Sequence, residues 1–169
     1  MLSNAMQSAL NDQIQAELYS AYLYLSMAAW CEASNLPGSA AWMRRQSREE
    51  ASHAMRVFDY INNQQGRVKL KAVEQPPADF GSALEIWQKT LEHEQSVTAR
   101  IHQLCQLAAK ENDYATQEML RWFVSEQVEE EKTANTILEQ VKVIGAGGPA
   151  LFFLDRHLGK QAEAEDGGA

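Results

Sequence analysis

Four long stretches of this chain carry an apolar heptad, and each breaks it mid-length with a polar residue able to bind a metal. The first stripe reads Leu10, Ile14, Glu17, Ala21, Tyr24, Ala28, and the second Met43, Ser47, Glu50, Ala54, Val57, Ile61. The third reads Leu84, Trp87, Leu91, Glu94, Thr98, Ile101, and the fourth Leu120, Phe123, Gln127, Glu130, Ala134, Ile137. Spacing of three and four residues predicts amphipathic helices, and four of them predict an all-α bundle. A buried, unpaired carboxylate costs several kcal/mol even after relaxation. One such interruption is tolerable as an accident, whereas four at mid-length need a shared partner. A cation among the carboxylates meets that need.

The breaks between stripes set the topology. Asn35-Leu36-Pro37-Gly38 ends the first helix, and Ser39 is placed to cap the second. That helix is expected to stop at Gly66, a residue suited to a left-handed C-cap. The segment from Arg67 to Phe80 contains Pro76-Pro77 and no helical period. At about 3.3 Å per residue it reaches roughly 45 Å, the length of a helix of about 30 residues. It can therefore cross the bundle and set helices two and three in the same direction. Asp79 or Ser82 can cap the third helix, which runs to about Lys110 before the Asn112-Asp113 break. The fourth ends at Gly145-Ala146-Gly147-Gly148-Pro149, and a short fifth is expected over Ala150 to Lys160. The fold class is thus a four-helix bundle with one long crossover plus a short C-terminal helix. Residues 1–160 form one domain, and Gln161 to Ala169, rich in Gly, Ala and acids, is expected to be a disordered tail.

A chain of 169 residues is enough for one core. The net charge of −8 argues against nucleic acid and anionic membranes as partners and suits cation handling. Two cysteines, Cys31 and Cys105, are too few for a disulfide framework and read as small buried hydrophobes. No basic start with an apolar core and no apolar run of about 20 residues is present, which points to the cytoplasm.

Register along the two hairpins brings Glu17, Glu50, Glu94, Gln127 and Glu130 into one layer, because each lies at a similar distance from its own turn. Within that layer Glu50-Ala51-Ser52-His53 puts a carboxylate and an imidazole on one helix face. Oxygen ligands with a single imidazole suit iron better than zinc. Glu50 can bridge two irons, with Glu17 and His53 on one and Glu94 and Glu130 on the other. Gln127 is neutral and is expected to hydrogen-bond an oxygen species or water. Tyr24, on the same stripe as Glu17, can hydrogen-bond a ligand or donate an electron, or it is a core tyrosine with a satisfied hydroxyl. Glu49, Glu126 and Glu129, with Glu130 between the two sets, offer a third metal position. Trp122 reads as packing, and His93, His102 and His157 as surface residues.

These residues carry a resemblance. E-L-Y-S at 17–20, R-R-x-x-x-E-E-x-x-H at 44–53, H-E-Q at 93–95 and W-F-V-S-E-Q-x-E-E-E-K at 122–132 make the chain similar to the bacterial non-haem ferritins over essentially its whole length. The resemblance implies a homo-oligomeric hollow shell of about 24 subunits. It also implies a ferroxidase that oxidises Fe(II) with O2 or H2O2 and stores a ferric oxyhydroxide mineral. Carried over by motif, the first iron position is Glu17, Glu50 and His53, and the second Glu50, Glu94 and Glu130. The extra position is Glu49, Glu126, Glu129 and Glu130, with Gln127 and Tyr24 alongside. The related haem-binding proteins have Met where this chain has Ala51 and His where it has Glu130, so no haem is expected. Acidic pore positions of animal-type relatives correspond to Gln117 and Leu120 here. The alternative is a rubrerythrin-like di-iron peroxidase without mineral storage, against which stand the absent Cys-x-x-Cys module and absent second Glu-x-x-His.

Overall fold

The structure is a computed structural model that describes residues 1–145 and 148–166, the side chains of residues 165 and 166 excepted. Five helices are found among the described residues: α1 (Asn4–Ala33), α2 (Pro37–Asn63), α3 (Ala83–Lys110), α4 (Tyr114–Ile144) and α5 (Pro149–Asp166). Among the described residues there is no strand. Ala146 and Gly147 of the expected α4 stop, and 167–169 of the expected tail, lie outside the described residues. No described helix is long and apolar enough to cross a membrane.

Three helices start on caps supplied by their own sequence. Ser3 accepts from the Met6 N–H, Ser82 from Glu85 and Asp113 from Thr116. Helix α2 differs. It begins two residues ahead of Ser39, with Pro37 in the first turn, where a missing N–H costs nothing. Its free N–H groups are taken by Asp155 of α5 instead. Gly38 N donates to Oδ2 at 2.9 Å, and Ser39 N and Oγ donate to Oδ1 at 2.7 and 2.8 Å. Gly38 is required at this crossing, because a Cβ there would lie 1.7 Å from the Asp155 carbonyl oxygen. The cap comes from a residue over a hundred positions away, which local sequence does not reveal.

The α2 stop also differs from expectation. Gln65, not Gly66, holds the left-handed conformation (φ 58°), and the Gly66 N–H donates to the Ile61 carbonyl. Gly66 serves a close approach: a Cβ would sit 2.8 Å from Gln7 Oε1 and 2.9 Å from Ile61 Cγ2. Helix α5 is longer than the expected Ala150–Lys160. The Gln161–Glu165 run is made of good helix formers, and Ala162 is buried, so the helix extends through the first part of the expected tail to Asp166.

The crossover is tied along α1 in order. Asn11 Nδ2 donates to the Arg67 carbonyl, Gln15 Nε2 to Ala72 and Ser26 Oγ to Pro77. The segment thus runs the same way as α1, returns to the end where α2 began, and sends α3 down parallel to α2.

The apolar core is divided in two. One cluster holds Tyr24, Met27, Trp42, Met43, Trp87, Ile137 and Val141. The other holds Leu10, Ile14, Val57, Ile61, Ile101, Leu120 and Phe123. Between them in chain position, on every one of α1 to α4, lie the buried polar residues Glu17, Glu50, His53, Glu94, Gln127 and Glu130. The interruptions in the stripes are a single polar layer separating two halves of a hydrophobic core.

Candidate metal centre

Each helix delivers its polar residue to this layer because the apolar residues a turn above and below are buried in the flanking clusters. Glu17, Glu50 and Glu94 are each 1% exposed and Glu130 is 8% exposed. One ligand atom from each of Glu17, Glu50 and His53 lies within 4.8 Å of the others, the spacing a shared ion needs. His53 Nδ1 is 3.7 Å from Glu50 Oε1.

The hydrogen bonds around these carboxylates are selective. Gln13 Nε2 donates to Glu17 Oε1 at 2.8 Å. The Tyr24 hydroxyl donates to Glu94 Oε1, and Gln127 Nε2 donates to Glu94 Oε2 at 3.2 Å. Gln127 also reaches Thr98 Oγ1 at 3.3 Å, while Thr98 donates to Glu131. Left without a partner are Glu17 Oε2 and both oxygens of Glu50. Unpaired carboxylate oxygens in a dry core are costly. A bound cation removes that cost, so the donor set fits metal.

Electrostatics agree with the geometry. Burial raises the Glu17 carboxyl to about 7, with the Gln13 hydrogen bond opposing and the Glu94 charge adding. Burial, then the charges of Glu17, Glu94 and Glu130, holds Glu50 well above the usual carboxylate range. Glu130 rises to about 8 through burial and the Glu94 and Glu49 charges. Burial, followed by Arg56, lowers His53 to about 4, so its ring is neutral and able to ligate at neutral pH. The His53 ring stands edge-on to Trp122 and Phe123, with centroids 5.2 and 6.0 Å away, and Arg56 covers the Trp122 ring at 4.0 Å. Trp122 is therefore the wall that orients this imidazole.

A second group forms from Glu49, His53 and Glu126, whose ligand atoms also lie within 4.8 Å of one another. His53 belongs to both groups. Glu129 and Glu130, expected with this outer position, are in neither three-residue group among the described residues. Glu129 is exposed, close enough for its charge to help raise Glu126.

The reading of His93 as a surface residue is corrected. It is half-buried, its Nε2 lies 2.8 Å from Ser20 Oγ, and burial lowers it to about 4. The reason is geometric: residue 93 precedes the buried Glu94 on α3 and borders a cleft of about 370 Å³ between α1 and α3. His102 and His157 are exposed as expected. Cys31 is buried and Cys105 half-buried, both as free thiols. Gln13 and Gln46 were not anticipated. Each stands one turn before a candidate ligand, Glu17 or Glu50, on the same helix face, and that spacing was the available signal.

A model of the ferritin-like domain matches residues 7–144. The chain belongs to that family. It is 40% identical over 158 residues to the bacterial non-heme ferritin of Escherichia coli, covering 94% of this chain and 96% of the relative. With the bacterial non-heme ferritin of Bacteroides fragilis it shares 42% identity over 161 residues, or 95% and 100% of the two chains. Among solved structures, an open pore ferritin from the hyperthermophilic archaeon Archaeoglobus fulgidus superposes with a TM-score of 0.93 at 49% identity. That match covers 94% of this chain and 98% of the other. The ferritin-like fold of this chain is therefore its four-helix bundle with α5 appended.

Proposed function

We propose that this chain is an iron-storage ferritin, oxidising Fe(II) at a di-iron centre within each subunit and depositing ferric oxyhydroxide inside a closed homo-oligomer of about 24 copies. The observation that carries the reading is the unpartnered oxygens of Glu17 and Glu50 beside His53 in a solvent-excluded layer. Support comes from the ferritin-like family match and from relatives named non-heme ferritins. The cytoplasm is the proposed compartment, with neither nucleic acid nor membrane as partner.

Iron is the substrate here, and the residues divide its handling. Glu17, Glu50 and His53 hold one Fe(II), and Glu50, Glu94 and Glu130 the other. Carboxyls with raised pKa values release protons as the cations arrive, so binding strengthens as pH rises. Gln13 fixes one oxygen of Glu17, while Tyr24 and Gln127 grip opposite oxygens of Glu94. Each Fe(II) gives one electron. Two irons therefore match the two-electron reduction of O2 to H2O2, or of H2O2 to water, the protons coming from solvent and the released carboxyl protons. Glu49 and Glu126, with Glu129 and Glu130 nearby in sequence, form the third position that receives iron beyond the pair.

Glu50→Ala removes the bridging carboxylate and should abolish the rapid phase of Fe(II) oxidation in stopped-flow absorbance while the oligomer still assembles. Oxidation at the wild-type rate in an assembled variant would show that Glu50 is not the bridge.

A further inference from the structure

Two tryptophans, Trp42 of α2 and Trp87 of α3, meet edge to face in the core with ring centroids 4.9 Å apart. They are 2% and 1% exposed. Trp42 also meets the Tyr24 ring edge to face at 6.3 Å, and the Tyr24 hydroxyl donates to Glu94 of the polar layer. Unbroken aromatic contact therefore leads from a proposed iron ligand, through the fully buried Tyr24, to an indole pair sealed from water. Packing alone is met by any large apolar side chains. It does not ask for indoles, the rings that give up an electron most readily, in line with a ligand.

Charges beside the rings give this path a direction. The Arg45 guanidinium lies 5.6 Å from the Trp42 centroid, and that of Arg56 lies 4.0 Å from the centroid of Trp122, the indole beside His53. A cation against a ring is attracted to its electrons and opposes the loss of one. Among the described residues no such cation lies over Trp87. A missing electron therefore settles on Trp87 in preference to Trp42, and Trp87 is a better donor than Trp122.

We propose that Trp87, through Trp42 and Tyr24, supplies one electron to the iron site when H2O2 meets a subunit holding a single Fe(II). This rests on the di-iron reading above and gives it a second source of electrons. Reducing H2O2 to two waters takes two electrons and two protons. A pair of Fe(II) ions provides both electrons. One Fe(II) provides only one, and the O–O bond then breaks to hydroxide and a hydroxyl radical. With Trp87 as donor, Fe(II), Trp87, H2O2 and two protons from solvent yield Fe(III), the Trp87 radical cation and two waters. Tyr24 and Trp42 pass the electron on and end unchanged. The next Fe(II) returns an electron to Trp87 and becomes Fe(III), so no indole is consumed.

Rapid-freeze electron paramagnetic resonance tests this on the assembled protein, loaded anaerobically with one Fe(II) per chain and mixed with H2O2. The wild type should give an organic radical whose hyperfine splitting changes when ring-deuterated tryptophan is incorporated. With two Fe(II) per chain that signal should be absent. Trp42→Phe and Trp87→Phe should each lose most of it, and hydroxyl radical captured by a nitrone spin trap should rise severalfold, whereas Trp30→Phe should match the wild type in both. A wild-type radical that ignores the label, or a labelled signal that survives both substitutions at full size, would overturn the proposal while leaving the di-iron reading intact. The label needs no substitution, so it decides even where a variant fails to assemble. A wild type that shows no rapid oxidation of two Fe(II) per chain would overturn the di-iron reading and the proposal with it.

Discussion

Replacing Glu130 with Gln should make the metal-free protein more stable at neutral pH, because it removes a buried acid whose charged form the core disfavours. Glu130 is 8% exposed and its carboxyl is pushed from 4.5 to about 8 by burial and by the Glu94 and Glu49 charges. The native state therefore binds this proton more tightly than the unfolded chain. The contribution to stability is complete below pH 4.5 and is lost as pH rises through 8. At about 1.4 kcal/mol for each pH unit between 4.5 and 7, the carboxyl costs roughly 3 kcal/mol at pH 7 relative to pH 4.5. Gln keeps the shape without the charge, but its own amide is incompletely bonded, so a net gain of about 1–3 kcal/mol is expected. For a chain of this size that corresponds to a Tm increase of about 3–10 °C. The assay is thermal denaturation of chelator-treated protein at one chain concentration, at pH 7 and pH 5. At pH 5 the advantage should nearly vanish, since wild-type Glu130 is protonated there. A variant less stable at pH 7, or one stabilised equally at both pH values, refutes the electrostatic account of the layer.

Two further outcomes follow from particular contacts. Glu126→Ala should remove iron from the third position more completely than Glu129→Ala, since Glu126 shares the 4.8 Å group with Glu49 and His53 and Glu129 does not. Anaerobic Fe(II) titration checks this, and equal losses contradict it. Asp155→Ala leaves two N–H groups and a hydroxyl of α2 without their acceptor, costing about 2–4 kcal/mol. A lowered Tm together with protease cleavage near α5 is expected, and an unchanged Tm would show that α5 is held by apolar contacts alone.

The stripes, the turns and the long crossover were legible because they are local or periodic, and the shared layer followed from counting residues to each turn. What escaped depends on partners distant in sequence. Ser39 looked like a cap and instead donates its hydroxyl to Asp155, which caps α2 from another helix. Gly66 suggested a left-handed stop, yet its role is close approach to Gln7 and Ile61. His93 looked peripheral beside Glu94 and proved to be bound to Ser20 across the α1–α3 cleft. Gln13 and Gln46 escaped because glutamine on an amphipathic helix is usually solvated, and their spacing one turn before Glu17 and Glu50 gains meaning only with their burial.

The central claim is storage by an oxidising shell, and one measurement tests it directly: native mass spectrometry of the protein before and after aerobic loading with Fe(II). The account predicts a particle of about 24 chains that takes up hundreds of irons without changing its subunit count. A dimer that stops at two irons per chain would contradict it and favour a di-iron enzyme without mineral storage.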